Sequence, residues 1–298
     1  MITEKQKEIR RRFLGSSDAA AIVGLSPWKT AADVYHEKIK TPSAKVSTPD
    51  NDAIIVGSLC ERAVLDWFQK ETGLKIKKNQ RRVHPNSIMA ASLDALVVGA
   101  NEIVEAKTTG ITSWLNRDEW GEIGTDQVPQ WVIAQCHHQL SVMGPEYRIV
   151  WVPVLLGGVG FRMYKVERNN AFASDLEEVE VKFWREYVEK KTPPPDSLPS
   201  LDTLKRIERL PAKTVQLPDD MVVNWAGRRE ILAEAKKLEE EAKQRVLTAL
   251  GDAEVGESSL GKVTYYQQSV KEKIIPACTF RVCRFQKNKE NKNGNESK

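Results

Sequence analysis

The order in which apolar spacing switches between helical and alternating periods is the strongest constraint this sequence places on its own fold. From Gly57 to Glu71 the residues Leu59, Val64, Leu65, Trp67 and Phe68 recur at helical spacing, and Gly73 ends the run, which predicts a helix. The period then falls to two and β-branched residues take over. That change predicts strands around Gln80–His84, Ala90–Val98 and Glu102–Thr108. Helical spacing returns over Val128–Met143, strands are expected at Arg148–Leu155 and Gly160–Glu167 around Gly157-Gly158, and Ala173–Lys191 is helical again. Two short helices precede these elements. One opens at Ser16-Ser17-Asp18, where hydroxyl and carboxyl side chains stand before a run of small helix formers. The other, Ala31–Ile39, opens with Thr30 as cap and Asp33 reaching back, and Lys40–Asp52 reads as a loop. Helices and strands in this order build a layered α/β domain that closes near residue 191.

Thr192-Pro193-Pro194-Pro195-Asp196 then forms a stiff break, since consecutive prolines cannot continue a helix. We expect residues 1–191 to form one domain, 192–218 a Pro-rich linker, 219–285 a C-terminal extension and 286–298 a basic, disordered tail. Within the extension, Leu232, Ala235, Leu238, Ala242, Val246 and Ala249 step by three or four in a charge-rich stretch, predicting a helix over Asp219–Leu250. A strand pair, Gly261–Ser269 with Lys273–Phe285, is expected to follow it. The 298 residues carry 45 Lys and Arg against 41 Asp and Glu, so no strong overall cationic field exists. The two ends are nevertheless basic. A basic tail fits an electrostatic grip on a phosphate backbone, and a solvated tail is the other open reading.

Several classes are excluded. The first residues are charged where a signal peptide needs an apolar stretch, and the longest apolar runs, such as Ile149–Leu156, are too short to span a bilayer. Cys60, Cys136, Cys278 and Cys283 make no CxxC pair, which argues against a disulfide framework or a zinc ribbon. A cytoplasmic protein is expected.

The chemistry concentrates in Ser92-Leu93-Asp94 and Glu105-Ala106-Lys107. On a strand, residues two apart share a face, so Glu105 and Lys107 project together with Ile103. An even hairpin loop between the two strands places Asp94 opposite Lys107 and beside Glu105, whereas a three-residue loop puts it on the wrong face. Two carboxylates this close repel unless a cation sits between them, and carboxylate oxygens suit Mg²⁺ or Mn²⁺. A Lys on the same face can hold or activate a water or neutralise a developing phosphate charge. A solvated hairpin with an incidental ion pair is the plain alternative. Glu61 lies on the flank of its helix's apolar stripe, as a third acid near the metal or as a rim residue paired with a Lys or Arg. Gln135 and Gln139 are one turn apart, a spacing that suits water or phosphate positioning and equally suits a half-buried polar face. His137 and His138 point about 100° apart and read as surface or packing residues. Arg10, Arg11 and Arg12 before Ser16-Ser17 offer guanidinium forks and hydroxyls to a terminal phosphate, or form a helix cap beside a solvated basic patch.

Taken together, Arg10-x(6)-Ser17, the run from Gly15 to Trp28, Gly57-Ser58-Leu59-Cys60-Glu61, Asp94, Glu105-Ala106-Lys107 and Gln135-x(3)-Gln139-Leu140-x-Val142-x-Gly144 resemble the YqaJ-like viral recombinase family, relatives of the lambda exonuclease. The resemblance implies a PD-(D/E)XK restriction-endonuclease-like core, a mixed central sheet flanked by helices, here with a C-terminal helix and β-hairpin extension. It further implies a Mg²⁺-dependent exonuclease that degrades linear double-stranded DNA from 5′ to 3′ and leaves a 3′ single strand for an annealing protein. In that picture Asp94, Glu105, Glu61 and the backbone carbonyl of Ala106 hold the metal, Lys107 activates the attacking water and Gln135 orients it or contacts phosphate. Arg10, Ser17 and Ser16 hold the 5′-phosphate, with Gln139 and Arg12 in support. Relatives can form rings around DNA. Leu93 stands where the family's motif has Pro. A non-catalytic DNA-binding accessory and an endonuclease of the same fold are the competing readings.

Overall fold

A computed structural model describes residues 10–39, 52–85, 88–110, 119–157, 159–207, 210, 213–267 and 269. The chain divides into two compact units, Met1–Arg209 and Leu210–Lys298.

The first unit is built on one mixed sheet. Its elements are β1 (Leu14–Gly15), α1 (Ser16–Ile22), α2 (Ala31–Lys38), α3 (Asp52–Thr72), β2 (Ile76–Val83), β3 (Met89–Val97), β4 (Glu102–Val104), β5 (Lys107–Thr109), α4 (Gln130–Met143), β6 (Ile149–Leu156), β7 (Gly160–Glu167), α5 (Asn170–Phe183) continued by a π-helical turn (Trp184–Glu189), and α6 (Leu201–Arg206). Antiparallel β2 flanks β3 on one side, β3 pairs antiparallel with β4, β4 and β5 both run parallel to β6, and β7 closes the far edge antiparallel to β6. Short β1 pairs parallel with the start of β3. This is the mixed sheet flanked by helices of the PD-(D/E)XK fold.

Helices cover both faces. Val132, Cys136 and Leu140 of α4 pack with Met89, Ala91, Leu93, Ile103, Val150, Val152 and Val154 in the main core. On the other face Leu65 and Phe68 of α3 pack with Ala95, Val97 and Val104. The odd positions of β3 therefore change sides between Leu93 and Ala95. Asp94 lies at the change, and the neighbouring strand answers with Asn79 in the left-handed region, at φ 56°.

Three expectations need correction here. The segment read as one strand over Glu102–Thr108 is continuous only toward β6, where Glu102–Val104 and Lys107–Thr109 keep a single register and the Glu105 N–H donates to the Trp151 carbonyl. Toward β3 it separates after Val104. The connecting loop has the expected even length, Val98–Asn101, but Ala95 faces Val104 and Leu96 faces Ile103. Continued one pair further, that register sets Asp94 against Glu105 rather than Lys107. The capping box at Thr30 and Asp33 forms as read, with Asp33 N–H donating to Thr30 Oγ1 and Thr30 N–H to Asp33 Oδ2. Helix α3 begins five residues earlier than its apolar spacing indicated.

The stretch after the prolines does not hang free up to residue 218. Ser197 Oγ accepts from Ala32 N–H, Thr30 Oγ1 donates to the Leu198 carbonyl and Ser200 N–H donates to Asp33 Oδ1, which docks residues 197–200 on the start of α2. In the second unit, α7 (Asp219–Leu250) has the predicted bounds. The hairpin differs, because β9 (Gly261–Thr264) pairs back with β8 (Val255–Ser258). The expected partner strand Lys273–Phe285 and the tail 286–298 lie outside the described residues. Among the described residues no helix is long and apolar enough to cross a membrane.

Candidate functional site

Glu105 sits where the strand leaves β3, is 4% exposed and is held on both oxygens. Its Oε1 accepts from Lys107 Nζ at 2.5 Å and from Gln135 Nε2 at 2.6 Å, and its Oε2 accepts from Gln139 Nε2 at 2.7 Å. Lys107 Nζ donates in addition to Gln135 Oε1 at 2.8 Å and lies 5.4 Å from the centre of the Trp131 ring. These contacts follow from two periodicities. Glu105 and Lys107 share the strand face that α4 covers, and Trp131, Gln135 and Gln139 stand at four-residue intervals on that helix.

Asp94 completes the cluster from β3. Its Oδ2 accepts the Ala106 N–H at 2.8 Å, the backbone donor that loses its strand partner when β4 separates from β3. Burial pushes the Asp94 carboxyl well above its ordinary value, the charges of Glu105 and Glu61 push the same way, and Lys107 and the Ala106 N–H oppose them. Burial also raises Glu61, with Glu105 adding and Lys107 and Lys78 subtracting. For Lys107 burial lowers the value, but Glu105 and Asp94 outweigh it and the ammonium is held protonated. Three acids thus crowd one half-buried cation.

The donor set is hard oxygen, which fits a Mg²⁺-type ion. Among the described residues no three His, Cys, Asp or Glu side chains gather closely enough to hold a metal by themselves. An ion here would rest chiefly on Asp94 and Glu105, and Mg²⁺ commonly takes only one or two carboxylates and keeps its waters. Glu61, half-buried on α3, acts on that pair through charge. Gln139 Oε1 and the Trp131 indole N–H are buried without hydrogen-bond partners.

The structure sorts the remaining candidates. Arg10, Arg12 and Ser17 are exposed and Ser16 is buried at the start of α1, which packs on α4. Lys38 Nζ donates to the carbonyls of Arg10 and Phe13, both at 2.8 Å, and so fixes the arginine-bearing turn. His137 and His138 are packing residues. Nδ1 of His137 faces the Ile133 carbonyl and its Nε2 accepts from Asn169 N–H, while His138 lies fully buried between Glu180 and the Ala90 carbonyl.

Sequence reasoning passed over Trp131, although its spacing from Gln135 and Gln139 marked it. It also passed over the buried charges around Asp18, whose carboxylate takes Lys29 and Lys38, each at 2.6 Å. Burial raises the Asp18 carboxyl, yet Lys38 and Lys29 more than offset this and hold it far below the usual range.

Residues 5–146 match the family model of the YqaJ-like viral recombinase domain, which bears out the resemblance read from the motifs. The uncharacterized protein YqaJ of Bacillus subtilis (strain 168) is 34% identical over 181 residues, covering 60% of this chain and 54% of its own. The chain thus spans about half the length of that curated relative. Among solved structures, LHK-Exo in complex with dAMP superposes with a TM-score of 0.51 at 18% identity, over 63% of this chain and 94% of the other. A second structure of LHK-Exo, an alkaline exonuclease from Laribacter hongkongensis, gives 0.50 at 17% identity, over 63% and 94%. At these identities the likeness establishes the fold.

Proposed function

We propose that this chain, with its YqaJ-like viral recombinase domain, is a metal-dependent deoxyribonuclease that degrades linear double-stranded DNA from 5′ to 3′ and leaves 3′ single strands for strand annealing. The observation that carries the reading is the convergence of Asp94, Glu105 and Lys107 with Gln135 and Gln139 at one strand break. A bound Mg²⁺, or Mn²⁺ in its place, would supply Lewis-acid polarisation of the scissile phosphate and a more acidic water. Asp94 and Glu105 would hold it, with the Ala106 carbonyl as a further oxygen. Lys107 contributes a fixed positive charge beside the reacting phosphate and a donor that positions the attacking water. Gln135, bonded to both Glu105 and Lys107, keeps the pair in register. Gln139 anchors the second Glu105 oxygen and so sets the carboxylate's orientation. The family resemblance assigns Arg10 and Ser17, with Arg12 and Ser16, to the 5′-phosphate, and their exposure at the start of α1 leaves Arg10, Arg12 and Ser17 accessible to it. An annealing protein and a ring of identical subunits are the partners this reading carries with it.

The test is digestion of linear duplex bearing a 5′-phosphate or a 5′-hydroxyl, with Mg²⁺ or with chelator, beside a covalently closed circle. Hydrolysis of linear DNA only, dependent on metal and faster with the phosphate, is expected, together with loss to background in Asp94→Asn and Glu105→Gln. Full activity in either folded variant refutes the assignment, and cutting of the closed circle makes the chain an endonuclease.

A further inference from the structure

We propose that Trp28 is a base-stacking residue, its exposed indole receiving the nucleobase adjoining the phosphate that enters the Asp94–Glu105–Lys107 site; this rests on the nuclease reading above and specifies how the DNA end is gripped. Trp28 is 64% exposed, an unusual position for a side chain whose burial is strongly favourable. Its exposure does not come from a loose loop. The N–H groups of Leu25 and Ser26 donate to the Ala20 carbonyl at 2.8 and 3.1 Å, which pins the chain to α1. Ser26 Oγ then accepts from the N–H groups of Trp28 and Lys29 at 3.3 and 3.2 Å. Lys29 fixes the far side through Asp18 at 2.6 Å and Glu37 at 2.7 Å. The backbone on both sides of the indole is therefore set before any ligand arrives.

The ring it leans on belongs to the site. Trp28 and Trp131 meet edge to face with centroids 4.9 Å apart, and the Trp131 ring carries the Lys107 ammonium, which in turn bonds Glu105. Trp28, Trp131, Lys107 and Glu105 thus form one contiguous row from solvent to the buried carboxylate. A rigid, open aromatic surface one ring away from the phosphate-facing ammonium matches a base attached to that phosphate. Because every base presents a π-face, such a contact grips the DNA end without reading its sequence.

The test is a double-mutant cycle read by fluorescence anisotropy in chelator. Wild type, Trp28→Ala and Trp28→Phe are titrated with labelled linear duplex whose 5′-terminal nucleotide is either natural or an abasic spacer, and thermal midpoints of the three proteins are compared. Trp28→Ala is expected to weaken binding of the natural end about tenfold, the order of one base–aromatic stack. The abasic end should weaken wild type by a similar factor, the two changes together should add little, and Phe should restore most of the loss. Equal weakening of natural and abasic ends by Trp28→Ala, or none on either, overturns the proposal. Digestion of the natural duplex by wild type in Mg²⁺ runs alongside. Digestion without the anisotropy coupling removes stacking and leaves the nuclease, whereas the coupling without digestion supports stacking and removes the nuclease.

Discussion

Asp18 shows at the scale of one residue how this fold keeps a carboxylate charged beneath its first helix. The side chain is buried, and Lys38, itself 3% exposed, meets it at 2.6 Å while Lys29 takes the other oxygen. Removing one member of a buried ion pair costs more than the pair contributes, because the survivor is left without its counter-charge. Lys38→Met is expected to destabilise the protein by about 3 kcal/mol at neutral pH, the lower end of that class because Lys29 remains. It also removes the bonds to the Arg10 and Phe13 carbonyls. The pH dependence has a definite sign. The folded Asp18 carboxyl is depressed below its unfolded value of 3.8, so its stabilisation is complete above that value and is lost as the pH falls through the folded one. Urea titrations of wild type and Lys38→Met at pH 7 and over the acid range should therefore show a gap that narrows on acidification. A gap constant down to the acid transition would contradict the assignment. None of this was legible in the sequence, where Asp18 read as a helix-start residue, because its two partners lie 11 and 20 residues downstream and meet it only when α2 folds back.

Among the elements, the parting of β4/β5 from β3 decides what the site is. Alternation along the strand correctly placed Glu105 and Lys107 on one face, since that needs only a period of two. The facing register was off by two residues, Glu105 and not Lys107 standing against Asp94. The parting itself was invisible, because a side chain and not a turn signal causes it: Asp94 supplies the oxygen that a backbone carbonyl of β3 would otherwise offer to Ala106. Asp94→Ala removes that acceptor and leaves an N–H with no partner in a half-buried position, for an expected loss of about 1–3 kcal/mol. Asp94→Asn keeps an oxygen acceptor and removes a charge that Glu105 and Glu61 repel, so its stability should equal or exceed that of wild type at pH 7. Equilibrium denaturation of the three proteins separates them. If the Ala and Asn variants were equally unstable, the bond to Ala106 would have no structural weight. Under the proposed function both are inactive, which makes the Asn variant the cleaner probe of catalysis.

For the molecule as a whole, the proline run interrupts regular structure without ending the first compact unit, which runs on to Arg209. Pro193-Pro194-Pro195 ends the helical stretch, as rigid φ angles and missing N–H groups require. The chain then continues within the first unit, where Ser197 Oγ takes the orphan Ala32 N–H at the start of α2, the Leu198 carbonyl takes the Thr30 hydroxyl and the Ser200 N–H reaches the Asp33 carboxylate. Contacts of this kind span more than 160 residues and follow no local periodicity. The second unit shows the same limit: the 3.6-residue repeat of α7 fixed its bounds, whereas the hairpin partner of Gly261–Thr264 had to be chosen among strands of similar composition. A fragment ending at Lys191 and one ending at Arg209 should therefore differ. Both contain Asp94, Glu105, Lys107, Gln135 and Gln139, but the shorter lacks three hydrogen bonds worth about 1 kcal/mol each. It should melt below the longer and unfold at lower urea, with α2 the first segment to exchange its amide protons. Coincident melts would mean that the docked segment is a passenger. A longer fragment that failed to fold without residues 210–298 would show that the two units are coupled and that the site depends on the second.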